Sequence, residues 1–124
     1  MRVLAIGDVF GTVGRRAVVQ WLPRLRDEHG AAYVIVNVEN MHHGRGADAA
    51  GVREVLAAGA DCLTSGNHIW AHKGHEQLLD GEPRLLRPAN YPEPCPGRGF
   101  YVGATRGAVR VGVLNLIGRV FLPP

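Results

Sequence analysis

An α/β fold, parallel in its first part and carrying a mixed sheet overall, is what this sequence predicts. Three observations lead there. Short runs of Val, Ile and Leu alternate with segments of helical period, Gly and Asp punctuate the junctions, and the last part reads as two strands around a Gly-containing turn. No internal repeat or low-complexity segment interrupts the pattern.

The elements follow in order. "RVLAI" is a buried strand, and "RRAVVQWLPRLRDEHG" is a helix whose Val18, Trp21, Leu22 and Leu25 share one face, with a kink expected at Pro23 and an end at Gly30. "AYVIVNV" is the second strand. After the polar loop "ENMHHGRG" comes an Ala-rich helix, "ADAAGVREVLAAG", stopping at Gly59. "DCLTSG" ends a third strand, a short helix is expected near His75 to Leu79, and "RLLRPANYPEPCPGRG" is irregular after Leu86. "FYVGATRGAVRVGVLNLIG" supplies the closing hairpin.

Composition narrows the class of protein. With 46% hydrophobic and 20% charged residues the chain has the make-up of a globular domain, and no apolar run approaches the length of a membrane span. Asp8 interrupts the first apolar run before a signal-peptide core forms, so that run reads as a strand of a cytoplasmic protein. Cys62 and Cys95 have neither metal-ligand nor disulfide-framework spacing; Cys62 reads as a buried small hydrophobe and Cys95 as a loop thiol. The net charge of +3 comes from Arg spread along the chain, without a nucleic-acid-binding stripe.

Ligands of open α/β sheets bind beyond the carboxyl ends of the strands. Three successive strand ends here carry polar side chains: Asp8 after the first, Glu39 and Asn40 after the second, Asn67 and His68 after the third. Each alone has an ordinary explanation as a turn, cap or loop residue. Together, two carboxylates and amide oxygens suit hard or borderline divalent metals such as Mn or Fe, and a pair of such ions can activate water and clamp a phosphate oxygen.

The blocks "IGDVFGTVGR", "NVENMHHGRG", "SGNHIW", "RPANYP" and "GRVFLPP" resemble, in order and spacing, the YmdB-like metallophosphoesterases of the calcineurin-like phosphoesterase superfamily. The resemblance implies the N-terminal half of a four-layer αββα sandwich with a dinuclear centre of two divalent ions, Fe or Mn, that hydrolyses phosphodiesters including 2′,3′-cyclic nucleotides. It implies that Asp8 binds one metal, Glu39 bridges both, Asn67 binds the second and Asn40 lies beside the centre. His68 would not be a ligand; it would protonate the leaving oxygen or hold the phosphate. Phe10 stands where the wider superfamily has a ligand histidine, and Glu39 where it has a bridging Asp, both as in the YmdB-like pattern.

Family members continue past the "FLPP" block, and their C-terminal half supplies three further metal-binding histidines. Residues 1–124 are therefore expected to be one partial domain, inactive alone, completed by more of the same polypeptide or by another chain such as a second copy. Its own histidines all lie too early to be those ligands. His42 and His43 read as solvated loop residues, His72 and His75 as surface residues at a helix start. A different class remains open: a nucleotide- or RNA-binding regulatory module that keeps the half-site without turnover.

Overall fold

The computed structural model describes residues 1–120, so the "FLPP" end of the last sequence block lies outside the described residues. Strand β1 (Val3–Ile6) leads into helix α1 (Gly11–Glu28), β2 (Tyr33–Asn37) into α2 (Ala49–Ala57), and β3 (Cys62–Thr64) into a 3-10 turn (Asn67–Trp70) and α3 (His75–Gly81). Then come β4 (Leu85–Leu86), β5 (Phe100–Ala104) and β6 (Arg110–Leu114).

The first four strands form one parallel sheet in the order β1-β2-β3-β4. Each neighbour in space is the next strand in sequence, so right-handed crossovers carry all three helices to the same face. Val18 and Leu22 of α1, Val52 and Val55 of α2 and Leu79 of α3 pack there in one buried cluster with Val34, Val36, Leu63 and Leu85. The hairpin β5-β6 is a separate antiparallel sheet lying on the opposite face, where Tyr33, Cys62 and Leu86 meet Val113, Tyr101 and Val111. Parallel and antiparallel strands are thus both present, as the sequence predicts, but in two stacked sheets among the described residues and not in one mixed sheet. Side-chain packing between sheets joins them, and sequence patterning does not reveal that.

Both long helices stop as their glycines foretell. Gly30 takes φ +57° while its N–H donates to Asp27 O and that of Ala31 to Arg26 O, and Gly59 does the same at φ +115° with Leu56 O and Val55 O. Arg26 locks the two ends together: its guanidinium donates to Gly59 O and Ala32 O and pairs with Asp61 at 3.1 Å, and Asp61 accepts from the Val34 N–H.

Three local expectations are corrected. Helix α1 starts at Gly11, earlier than Arg15. Trp21 does not share the buried face: it is 46% exposed, with the Arg24 guanidinium 5.6 Å from its ring centre, because Val18, Val19 and Leu22 are the α1 residues that meet the core. "NHIW" is a 3-10 turn, and Leu85 and Leu86, just before the segment expected to be irregular, form a fourth strand, β4.

Candidate metal centre

Strands β1, β2 and β3 are parallel neighbours, so their carboxyl ends open on one edge, and pairing continues past them. Val9 N–H donates to Asn37 O, Val38 N–H to Thr64 O and Gly11 N–H to Asn40 O. These bonds hold the three polar loops side by side.

Asp8, Asn40 and His68 form one hydrogen-bonded chain. Asn40 Nδ2 donates to Asp8 Oδ1 at 2.7 Å, and His68 Nδ1 stands 2.5 Å from Asn40 Oδ1. A carboxylate only accepts, so Asp8 takes the amide nitrogen and leaves the amide oxygen for His68. That oxygen also only accepts, so the His68 proton resides on Nδ1 and Nε2 is the nitrogen free to take up or release one.

Glu39 and Asn67 occupy an adjoining crevice of about 380 Å³, shared with Asn37, Ser65, Gly66 and Asn115. The Glu39 carboxylate lies against Gly66, where a Cβ would come 2.7 Å from both Oε1 and Cδ. Gly66 has φ −137°, so it is the carboxylate and not backbone strain that excludes a side chain there. Asn37 Oδ1 accepts from the Glu39 N–H, and buried Asn115 donates to Ser65 O and Leu86 O, pinning the turn that leads to Gly66 and Asn67. Sequence reasoning did not find Asn37 or Asn115; a polar amide within or just after an apolar strand was the available signal.

The residue types fit divalent ions in kind. Neither Asp8 nor Glu39 has a cationic partner among the described residues, which leaves two carboxylates uncompensated at one edge. In number they fall short: among the described residues no three His, Cys, Asp or Glu side chains gather closely enough to hold a metal ion. Asp8, Glu39 and the Asn67 amide offer part of a coordination set.

His43 is exposed in its loop, as expected, but three other histidines are not at the surface. His42, His72 and His75, expected as solvated or surface residues, are half-buried and line one cavity. His42 lies edge-on to both His43 and His72 with ring centres 4.4 Å apart, a clustering that brings together loops far apart in sequence. Cys62 is fully buried as expected, and burial pushes its thiol up to about 12.

Helices on one face of a parallel sheet, an antiparallel sheet on the other, and carboxylate, amide and imidazole groups at the carboxyl edge make this a layered α/β domain with a polar strand-end site. The chain belongs to the YmdB-like family, whose model matches residues 4–124. It is 41% identical over its whole length to a 2′,3′-cyclic-nucleotide 2′-phosphodiesterase of Bacillus subtilis, of which it covers 47%. A crystal structure of a hypothetical protein from Thermus thermophilus superposes on all of it with a TM-score of 0.90 at 40% identity, and this chain covers 48% of that one. A phosphatase from Mycoplasma pneumoniae superposes on 98% of it with a TM-score of 0.85 at 31% identity, 44% of that chain being covered. The chain spans about half the length of the curated relatives it matches. No helix among the described residues is long and apolar enough to cross a membrane.

Proposed function

We propose that residues 1–124 are the N-terminal part of a metal-dependent phosphodiesterase domain that acts on phosphodiesters, 2′,3′-cyclic nucleotides among them. The observation that carries this reading is the Asp8–Asn40–His68 chain beside the Glu39–Asn67 crevice. The named activity of the Bacillus subtilis relative supports it.

In this reading Asp8, Glu39 and Asn67 would hold two divalent ions, Fe or Mn, with the remaining ligands coming from outside this chain. Such ions supply Lewis-acid charge and an activated water at phosphorus. Asn40 orients the His68 ring through Nδ1, so that a protonated Nε2 can donate to the departing oxygen as general acid. Gly66 lets the Glu39 carboxylate reach the edge it shares with Asn67. The same reading places the protein in the cytoplasm, in keeping with two free thiols, Cys62 and Cys95.

A second reading, binding of a nucleotide or RNA without turnover, is favoured by the incomplete donor set among the described residues. The two separate in one assay. The intact natural protein, loaded with Mn or Fe, is expected to hydrolyse a generic aryl phosphodiester and a 2′,3′-cyclic nucleotide; failure on both overturns the phosphodiesterase reading.

A further inference from the structure

A cavity lies away from the strand-end crevice, with which it shares no lining residue. It measures about 710 Å³, within the range of small-molecule sites, and sits among α2, α3 and the loop from His42 to Asp48. Ala47, Val52 and Leu78 give it an apolar floor. Two carboxylates line it, and each has partners of its own. Asp48 accepts from the Gly51 N–H and lies 3.7 Å from Arg15, while Glu82 is gripped by Arg84, which holds its carboxyl below the usual range.

The two cations of the lining, Arg53 and Lys73, have no ionic partner among the described residues. An unpaired guanidinium and ammonium above an apolar floor form a complementary surface for an anion joined to an apolar body. The imidazoles add directional polarity. His72 Nε2 donates to Arg45 O and His75 Nδ1 donates to His72 O at 2.8 Å. The other nitrogen of each ring is then an acceptor while the ring is neutral, able to receive an amino or ring N–H. The cavity wall is also set rather than loose: the His72 ring packs on Gly46, where a Cβ would come 3.2 Å from both Nε2 and the His68 carbonyl oxygen.

We propose that this cavity is a second ligand site, for a small organic anion that joins a planar apolar body to a phosphate or carboxylate. The site is independent of the strand-end crevice and of turnover there.

The test uses the intact natural protein, stripped of metal by chelation and carrying Asn67→Ala to remove binding at the crevice. AMP is the probe, since it joins a planar body to a phosphate, and inorganic phosphate is the control. Calorimetry is expected to find one AMP bound per chain, with affinity falling at least about ten-fold in the double variant Arg53→Gln, Lys73→Gln, the size of effect that loss of a charge-assisted contact produces. Both side chains are exposed, so the variant is expected to melt with the parent, checked by circular dichroism. Phosphate is expected to bind at least about ten-fold more weakly than AMP, because it leaves the apolar floor uncovered. No binding of AMP, or binding that the double variant leaves unchanged, overturns the site. Phosphate binding as tightly as AMP overturns the assignment of an apolar body.

Discussion

Gly66 supports Glu39: the carboxylate rests where any side chain on Gly66 would have to be, with 2.7 Å between a Cβ there and Oε1. The third strand end thus gives way so that the second can bring its acid to the crevice shared with Asn67. Gly66→Ala is expected to move the Glu39 carboxylate and to lower metal occupancy of the intact protein about 10–100-fold, the usual cost of disturbing a ligand's support. Because φ at Gly66 is one that alanine adopts, the fold should survive. Elemental analysis with circular dichroism checks both, and unchanged metal content would remove Glu39 from the ligand set.

Direct loss of the acids should act on the same readout. Asp8→Asn and Glu39→Gln each remove a negative charge that no cation among the described residues balances. Both are expected to lower metal content and turnover together, and either variant keeping full metal and full rate would show that carboxylate not to be a ligand.

His68 should separate from the acids. His68→Ala is expected to cut turnover by about 10²–10⁴, the usual worth of a general acid, while leaving metal content near that of the parent. The loss should shrink on esters with a good leaving group, which need no proton. Asn40→Ala should reproduce part of the effect by releasing Nδ1, and equal losses on good and poor leaving groups would argue for phosphate holding instead.

Arg26 offers a test of the scaffold alone. Its side chain is 11% exposed and it satisfies Gly59 O, Ala32 O and Asp61, tying the ends of α1 and α2 to the start of β2. Arg26→Met takes the guanidinium donor from those two carbonyl oxygens and the cation from Asp61, which keeps only the Val34 N–H. The expected loss is at the low end of the about 3–5 kcal/mol typical of a broken buried pair, since Asp61 keeps some solvent. Urea unfolding of the intact protein measures it.

Periodicity made β1, both long helices, β2, β3 and the hairpin legible, because each buries one face and the glycines at positions 30 and 59 leave no doubt where a helix stops. The three polar strand ends were legible for the same reason: a parallel sheet turns sequence position into a shared edge. What stayed hidden depends on distant partners. Leu85 and Leu86 are too few to show a period and become a strand only beside β3. Trp21 fits the helical period but loses its place to the narrower stripe that touches the sheet. His42, His72 and His75 meet only because the segment leading into α3 packs on the loop after β2. Asn40 could be placed near the centre from its neighbours, but its position between Asp8 and His68 rests on two long-range hydrogen bonds.

Cys62 and Tyr33 meet between the two sheets, and burial there should be visible in alkali. Desolvation raises the Cys62 thiol from 9.0 to about 12 and the Tyr33 phenol from 10.0 to about 12, with the neighbouring Cys62 adding to the rise at Tyr33. Both groups are neutral in the folded protein and ionise more readily once unfolded. Stability from keeping them buried is therefore full below pH 9 and is lost as pH rises toward 12. Denaturation midpoints of the intact protein should fall across that window, and Cys62→Ala should flatten the fall, at a separate, pH-independent cost for the lost packing. At pH 8, below both unfolded values, a thiol reagent should modify Cys95 readily and reach Cys62 only after denaturant is added. Rapid modification of Cys62 in the native protein would mean that the hairpin does not stay closed over β2, β3 and β4.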